Sequence, residues 1–322
     1  MLSQVSAVSK CGALGVPAYS LDDWDLLTLL DLLPCCRLFS NIYQPCSFDI
    51  MISLVYNFDS CDADLILLSK DEVEFRVHRC ILASASPFFE HMLRLPQPAG
   101  NALVPTIPVS EEGVHIDALL RFIYPIPDPI LTTLDELGPI LEAAFKYDFP
   151  CAIATLRKHL VIPSFLETSP TRVFAIASRF ELEEEAQLAS KYTLNINVLD
   201  CPLSDDLKHI SAHSYCRLLG LHKRRAEAAQ ALLQIPDEVK CMQCNGHGIA
   251  SSFAPPKWWN TWKGLAEAEL AERPTSDVIF GMSFLAKAAA MTGCPRCAGS
   301  ILHSHIFLQD LKRKIDELPA TI

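Results

Sequence analysis

The sequence has no long hydrophobic run. Nowhere do about 18 apolar residues follow one another without a charge, which is the length that a membrane-spanning helix requires. It also has no compact apolar segment before Asp22 and Asp23, so the pattern of a secretory signal peptide is missing. We therefore predict a protein without a membrane span that is located in the cytoplasm or the nucleus.

A net positive charge is missing as well. The net charge is −11, and the part of the chain from Pro236 onward has equal numbers of basic and acidic residues, so the excess of acid lies before it. Because contacts to nucleic-acid phosphates require grouped lysine and arginine, this distribution argues against a nucleic-acid-binding protein.

The common enzyme signatures are absent too. The chain contains no Walker loop, no G-x-G-x-x-G, no H-E-x-x-H and no G-x-S-x-G. His78 has no serine or cysteine partner in the pattern of a catalytic base, and we expect it to be packed and hydrogen-bonded. We predict that the protein is not an enzyme. The rival hypothesis of an unrecognised active site requires a pocket with converging titratable groups.

What is present is an ordinary globular composition, with 50% hydrophobic and 20% charged residues in 322. This length accommodates two domains with a small third unit. The 13 cysteines, without a signal peptide, indicate a reducing compartment in which thiols are free or bind metal. Their odd number excludes complete pairing within the chain.

Residues 62–95 are the most informative stretch, and their first half predicts a β-hairpin. An apolar run at residues 65–68 is followed by a polar turn at 69–72. Val73, Phe75 and Val77 then alternate with polar residues, which predicts a strand with one buried face.

The second half of this stretch changes to helical spacing. Ser86 and Pro87 are suited to be the N-cap and first residue of a helix. Helical spacing relates the apolar residues that follow, which we expect to pack on the hairpin: Phe88, Phe89, Met92 and Leu93.

The ordered motifs F-x-V-H-R, I-L-A, S-x-F-F and M-L in this stretch resemble the BTB/POZ domain, a protein-interaction fold. The later segments LLRFIYPIPDP and LEAAFKYDFPCAIATLRKHL are similar to the BTB variant common in fungal proteins. The resemblance covers about residues 58–160 and implies an α+β fold, a small sheet flanked by helices, that associates with itself or with another protein. It also implies a charged pocket near a dimer interface, formed by Asp64 and Arg79. The alternative is that these are two ordinary, partly exposed charges.

The rest of the chain divides into three further segments. Residues 1–57 are a leader with an expected helix at 21–33 and a strand at 48–56. It is either a dimerisation arm, as in many BTB domains, or a poorly ordered segment.

The BTB-like segment at 58–162 includes an expected edge strand at 104–109 and helices at 134–147 and 151–160. Residues 163–235, which follow it, are predicted to be helical throughout. They resemble the BACK-like extensions that follow BTB domains. Residues 236–322 form a separate C-terminal helical unit.

That C-terminal unit carries the strongest chemical signal, the motif C-x-x-C-x-G in two copies. Two cysteines three positions apart on a tight turn can bind one metal ion, and a following glycine permits a left-handed turn. The two copies predict a closed, structural Zn²⁺ site with four thiolate ligands: Cys241, Cys244, Cys294 and Cys297. Free thiols and a redox or disulfide pair are the alternatives. His247, His303 and His305 are candidate substitute ligands, although surface histidines are the simpler interpretation.

Three tryptophans lie between the two cysteine motifs, on a helix predicted to extend through Glu272. Trp258, Trp259 and Trp262 are a candidate partner-binding surface, because tryptophan is favoured at interface centres. The favoured interpretation is that they form the core of a small zinc-stapled unit.

These observations lead to one functional hypothesis and two rivals. The hypothesis is an adaptor or scaffold that binds protein and forms homodimers through the BTB-like segment. One rival is a transcription regulator that uses the zinc unit on DNA, against which the neutral charge of that unit argues. The other is a substrate adaptor of a cullin-type ubiquitin ligase, against which the loop LPQPAGNALVP argues because it lacks the acidic residue of the cullin-binding signal.

Overall fold

The computed structural model of the protein describes residues 58–95, 104–245 and 254–322. The predicted helix at 21–33, the strand at 48–56 and the dimerisation arm lie outside these ranges. In the described residues, no helix has both the length and the apolar character needed to cross a membrane.

A three-stranded sheet forms from the predicted hairpin and the predicted edge strand. Strand β1 (Leu65–Leu68) pairs antiparallel with β2 (Glu74–Val77), and β3 (Thr106–Pro108) pairs with β1 in parallel, which gives the order β2-β1-β3. β3 lies at an edge, where its proline costs no ladder hydrogen bond on the open side. The sheet is flanked by helices, which confirms the predicted α+β class.

The turn of the hairpin extends one residue further than the alternation of apolar and polar residues predicts, so that β2 begins at Glu74 and not at Val73. The Ser69 hydroxyl accepts a hydrogen bond from the Val73 amide at 2.9 Å, and Glu72 adopts a left-handed φ of 64°. Val73 therefore belongs to the turn and is 43% exposed, whereas Phe75 and Val77 are buried as expected. The prediction that Val73 faces the core is wrong.

Two short helices, α1 (Arg79–Ala85) and α2 (Pro87–Arg94), follow the hairpin. Ser86 caps α2 as predicted: its hydroxyl accepts from the Phe89 amide at 3.0 Å and donates to the Tyr147 carbonyl at 2.5 Å. Phe89 is 1% exposed, but Phe88 is 41% exposed and contacts Phe89 and Tyr147 through ring edges. Phe88 was expected in the core and instead lies at the surface, because consecutive helical positions point in different directions.

The remaining chain is helical. In order, the helices are α3 (Gly113–Arg121), α4 (Leu134–Lys146), α5 (Pro150–Leu160), α6 (Pro163–Thr168), α7 (Pro170–Arg179), α8 (Glu183–Thr193), a 3₁₀ helix (Asp205–His209), α9 (Ala212–Ala231), α10 (Lys257–Glu272), α11 (Met282–Met291), α12 (Cys297–His303) and α13 (His305–Asp316). Prolines open α2, α5, α6 and α7, where the missing amide hydrogen costs no helical bond. The short helices α6 and α12 and the longer helix α13 were not predicted individually.

The buried side chains form two hydrophobic clusters. The first core extends from Phe58 to Leu218 and joins the sheet to α1–α8 and the first half of α9, with Phe145 of α4 stacked on Phe180 at 5.0 Å between ring centroids. The second core extends from Ala229 to Ile315 and contains the three tryptophans. Packing is thus continuous across the boundary predicted at 162/163, and the change from one core to the other falls within α9. The four predicted segments otherwise remain predictions.

Candidate metal centre and interaction domain

The four predicted cysteines converge on one point. The Sγ atoms of Cys241, Cys244, Cys294 and Cys297 all lie within 4.8 Å of one another. Cys241 and Cys294 are 3.8 Å apart at sulfur, and Cys244 and Cys297 are 3.9 Å apart. A tetrahedral zinc with Zn–S bonds of about 2.3 Å requires sulfur–sulfur edges of roughly 3.8 Å. The distances fit this geometry and are far longer than a disulfide bond of about 2 Å.

The first cysteine turn is closed by Asn245. Its side-chain oxygen accepts from the Cys241 amide at 2.5 Å, its own amide donates to the Cys241 carbonyl at 3.2 Å, and its side-chain nitrogen donates to the carbonyl of Ala254. One residue thereby holds the turn and ties it to the segment that leads into α10.

The second cysteine turn uses different geometry. Gly293, immediately before Cys294, adopts a left-handed φ of 64°, and the Thr292 hydroxyl accepts from the Cys294 amide at 3.1 Å. Cys297 then begins α12. Gly299, which was expected to supply a left-handed turn, lies inside that helix, and Gly246 is outside the described residues. The prediction for Gly299 is therefore wrong, and Gly293 provides the left-handed residue.

The surroundings of the four sulfurs favour thiolate at one end of the cluster. Burial opposes ionisation of Cys241, but the amides of Gln243 and Cys244 and the neighbouring thiols lower its pKa to about 7. Burial raises the pKa of Cys297 to about 12. The Lys257 amide also donates to the Cys244 sulfur at 3.4 Å. Backbone amides aimed at sulfur stabilise bound thiolates, and such outer contacts orient the ligands of a metal site.

The three tryptophans form the wall behind this centre. Trp258 and Trp262 are 0% exposed and Trp259 is 2% exposed. The Trp258 ring nitrogen donates to the Ser300 hydroxyl at 2.9 Å, and that hydroxyl donates to the Lys240 carbonyl at 2.9 Å. The tryptophans are consequently core residues, and the hypothesis that they form a partner-binding surface does not hold for this fold.

The histidines near the cysteines take no part in the cluster that the structure describes. His303 and His305 are exposed, and the His305 ring lies 3.2 Å from the Leu302 carbonyl. His247 falls outside the described residues. The four cysteines are the ligand set that the geometry supports.

Asp64 and Arg79 are neighbours, but their contact differs from the expected charged pocket. The Asp64 carboxylate accepts from the backbone amide of Arg79 at 2.7 Å and thus caps the start of α1. The Arg79 guanidinium points the other way and donates to the Leu93 carbonyl of α2 at 3.1 Å. Asp64 is exposed and Arg79 half-buried, so the described contact is a helix cap and not a buried ion pair.

Comparison with family models assigns the segment that contains the sheet. The model described as BTB/POZ domain matches residues 54–162. This segment is a BTB/POZ domain. It contains the three-stranded sheet and helices α1–α5, and it is a protein-interaction domain. No curated protein that was compared with the chain matches it.

The helices that follow the BTB/POZ domain contain a buried arginine that the sequence does not reveal. Arg225 appears in sequence as part of a basic run with Lys223 and Arg224, yet it is 6% exposed while its two neighbours face solvent. Its guanidinium donates to the carbonyls of four residues: Pro274 at 2.9 Å, Ile315 at 3.0 Å, Pro319 at 3.0 Å, and Leu318. Nothing in the local sequence distinguishes this arginine, because all its partners lie at least 49 positions away.

Proposed function

We propose that the protein is an adaptor or scaffold that self-associates through its BTB/POZ domain and has no catalytic activity. The observation that carries this proposal is the match of residues 54–162 to a protein-interaction domain. The adaptor would bind a second copy of the chain or another protein through the surface around α1 and α2.

Features of that surface support the proposal. Asp64 and Leu93 hold the Arg79 backbone and guanidinium, respectively, so the start of α1 is rigidly placed against α2. Cys80 is exposed on α1, and Phe88 presents an aromatic ring that is 41% exposed on α2. Exposed aromatic side chains on a rigid support are favourable contributors to protein interfaces.

Light scattering tests self-association. The wild-type chain is expected to have the mass of a dimer, and Arg79→Glu to shift it toward monomer, because the substitution removes the guanidinium that holds α1 against α2 and reverses the charge of the proposed surface. Arg224→Glu is the matched control, since Arg224 is exposed on α9, outside the BTB/POZ domain. A monomeric wild-type mass would overturn the proposed self-association. Equal behaviour of the two variants would exclude Arg79 from the interface.

We further propose that the four-cysteine centre binds one structural Zn²⁺. Four sulfurs at tetrahedral spacing leave no open coordination position for water or substrate, which is the arrangement of a structural and not a catalytic zinc site. The ion would connect the turn before α10 to the turn before α12. It would thereby close the second core.

Metal analysis of chelator-washed and zinc-reconstituted protein tests this site. The wild type is expected to retain about one zinc per chain, as a site with four protein ligands should. Cys294→Ser is expected to lose it, whereas Cys216→Ser, which changes an exposed cysteine of α9, should retain it. Absence of zinc from the reconstituted wild type would refute the proposal.

A further inference from the structure

The last residues of the described chain connect the two cores. After α13 ends at Asp316, residues 317–322 continue without helical structure, and we refer to them as the C-terminal strap. The Ile322 amide donates to the Ser190 hydroxyl of α8 at 3.2 Å, and its side chain packs against the first core. A cavity of 280 Å³ adjoins Ile322 and is lined by residues that include Phe174, Leu182 and Arg217.

Arg225 holds the beginning of the strap. It extends from α9 and binds carbonyls at the end of α13, at Leu318 and Pro319 of the strap, and at Pro274. A planar guanidinium can satisfy several carbonyls at once, which an ammonium group cannot do in the same geometry. These carbonyls would lose charge-assisted hydrogen bonds if Arg225 were replaced or if α13 moved.

The four-cysteine centre is connected to α13 through α12. Cys297 is the first residue of α12, and only Ser304 separates α12 from α13. Ser300 of α12 is tied to the Lys240 carbonyl, next to the first cysteine turn. A shift of the two cysteine turns would therefore move α12 and α13, and with them the C-terminal end of α13 that Arg225 binds.

We propose that metal occupancy of the four-cysteine centre controls the C-terminal strap. With metal bound, α13 places its last carbonyls on Arg225, and the strap covers the groove between α7 and α8. When metal is removed, α12 and α13 lose their anchor, the strap leaves Ser190, and the groove beside Phe174 and Leu182 opens. This inference rests on the proposed zinc site.

The strap itself makes few contacts with the first core, which is why it depends on this anchor. Its described contacts there include one hydrogen bond to Ser190 and the packing of Ile322. Such a segment opens at low free-energy cost unless the elements before it are fixed. In this proposal the metal centre holds α12 and α13, and the Arg225 hydrogen bonds hold the strap to the end of α13.

Hydrogen exchange measured by mass spectrometry tests the proposal on the full chain. Metal removal by chelator, and Cys294→Ser, are expected to speed exchange at least about tenfold in peptides covering residues 313–322, with faster exchange also at 186–193. Peptides from α4 should not change. Arg225→Lys is expected to speed exchange of the strap while zinc content stays unchanged, and Arg224→Lys is the neighbouring exposed control.

The outcomes separate this inference from the proposed zinc site. Loss of zinc with unchanged strap exchange would overturn the coupling and leave the metal site intact. Absence of zinc from the wild type would overturn both. Unchanged hydrogen exchange of the strap in Arg225→Lys would refute the proposal that Arg225 holds the strap in place. If Arg225→Lys does not fold, Ser190→Ala provides the second variant, for which faster exchange confined to the end of the strap is expected and unchanged exchange would count against the proposal.

Discussion

The two cores of this protein are built by different means. The first joins a sheet to many helices and is filled by aliphatic side chains, phenylalanine and tyrosine, and the residues that the structure describes place no tryptophan in it. The second is smaller, contains Trp258, Trp259 and Trp262, and includes the buried thiols of Cys241 and Cys297. A small core buries too little apolar surface to offset the loss of conformational entropy, and a bound metal is one way to make up the difference. We therefore expect the second core to depend on the proposed metal site and the first core, as far as the structure describes it, to be independent of it.

The largest expected effect is loss of the second core on metal removal. Structural zinc contributes on the order of 10 kcal/mol to the folding of small zinc units, so Cys294→Ser should unfold residues around α10–α13. Three of the four tryptophans lie in this core, so in a Trp24→Phe background their fluorescence reports it alone. A red shift without loss of the helical signal from α3–α8 is expected. An unshifted spectrum would contradict the dependence on metal.

The stability of the first core should fall when a buried side chain is truncated and should not change when a chelator is added. Phe89→Ala is expected to lower the free energy of unfolding by about 3–5 kcal/mol, because a fully buried ring is lost. Phe88→Ala, at the adjacent and partly exposed position, should cost about 1 kcal/mol or less. Urea unfolding followed by circular dichroism measures both. Equal losses would show that the two phenylalanines do not differ in burial as described.

The tryptophan core should be sensitive to single hydrogen bonds. The Trp262 ring nitrogen donates to the Ile279 carbonyl at 2.8 Å in a fully buried position. Trp262→Phe leaves that carbonyl unpaired, and we expect a loss of about 1–3 kcal/mol in the zinc-loaded protein. Denaturant unfolding followed by the remaining tryptophan fluorescence measures it, with zinc content as the control for an intact centre. A loss of both zinc and stability would show that the substitution acts through the metal site.

The smallest expected effect is a pH dependence at α9, which passes from one core to the other. Burial lowers the pKa of His222 from 6.5 to about 4, and its ring nitrogen lies 3.0 Å from the Thr193 hydroxyl. Because the folded state resists protonation, the His222 contribution to stability is complete above pH 6.5 and is lost as the pH falls toward 4.

Thermal unfolding between about pH 7 and pH 5 tests this linkage. His222→Gln should show a smaller decrease in melting temperature over that range than the wild type. His213→Gln, at an exposed position of the same helix, should behave as the wild type does. Charged neighbours around His222, such as Lys223, Glu227 and Glu272 on the wall of a 400 Å³ cavity, are retained in both variants. Parallel curves for wild type and His222→Gln would contradict the prediction.

Local signals account for the features that could be predicted. Spacings of a few residues predict the turn before β2, the Ser86 cap and the two pairs of cysteines. Each of these features depends on the geometry of a short segment of backbone or of its metal-ligating side chains. The exposure of Val73 and Phe88 could not be predicted, because it depends on where a turn ends and which side of a helix the first core covers. The helix α12 was missed because it is short, and α13 follows it after a single residue.

By itself, the sequence determined the α+β class, the BTB/POZ domain and the four cysteines that converge in the fold, since alternation, caps and cysteine spacing act over short distances. Only the tertiary structure decided that the tryptophans are internal, that Asp64 caps α1 without pairing with the Arg79 side chain, and that Arg225 gathers carbonyls from distant segments. The physical reason is that burial and multiple hydrogen bonding depend on neighbours brought together by the fold. From sequence alone, the buried Arg225 cannot be distinguished from its exposed neighbours Lys223 and Arg224, because the carbonyls that it binds come from distant segments.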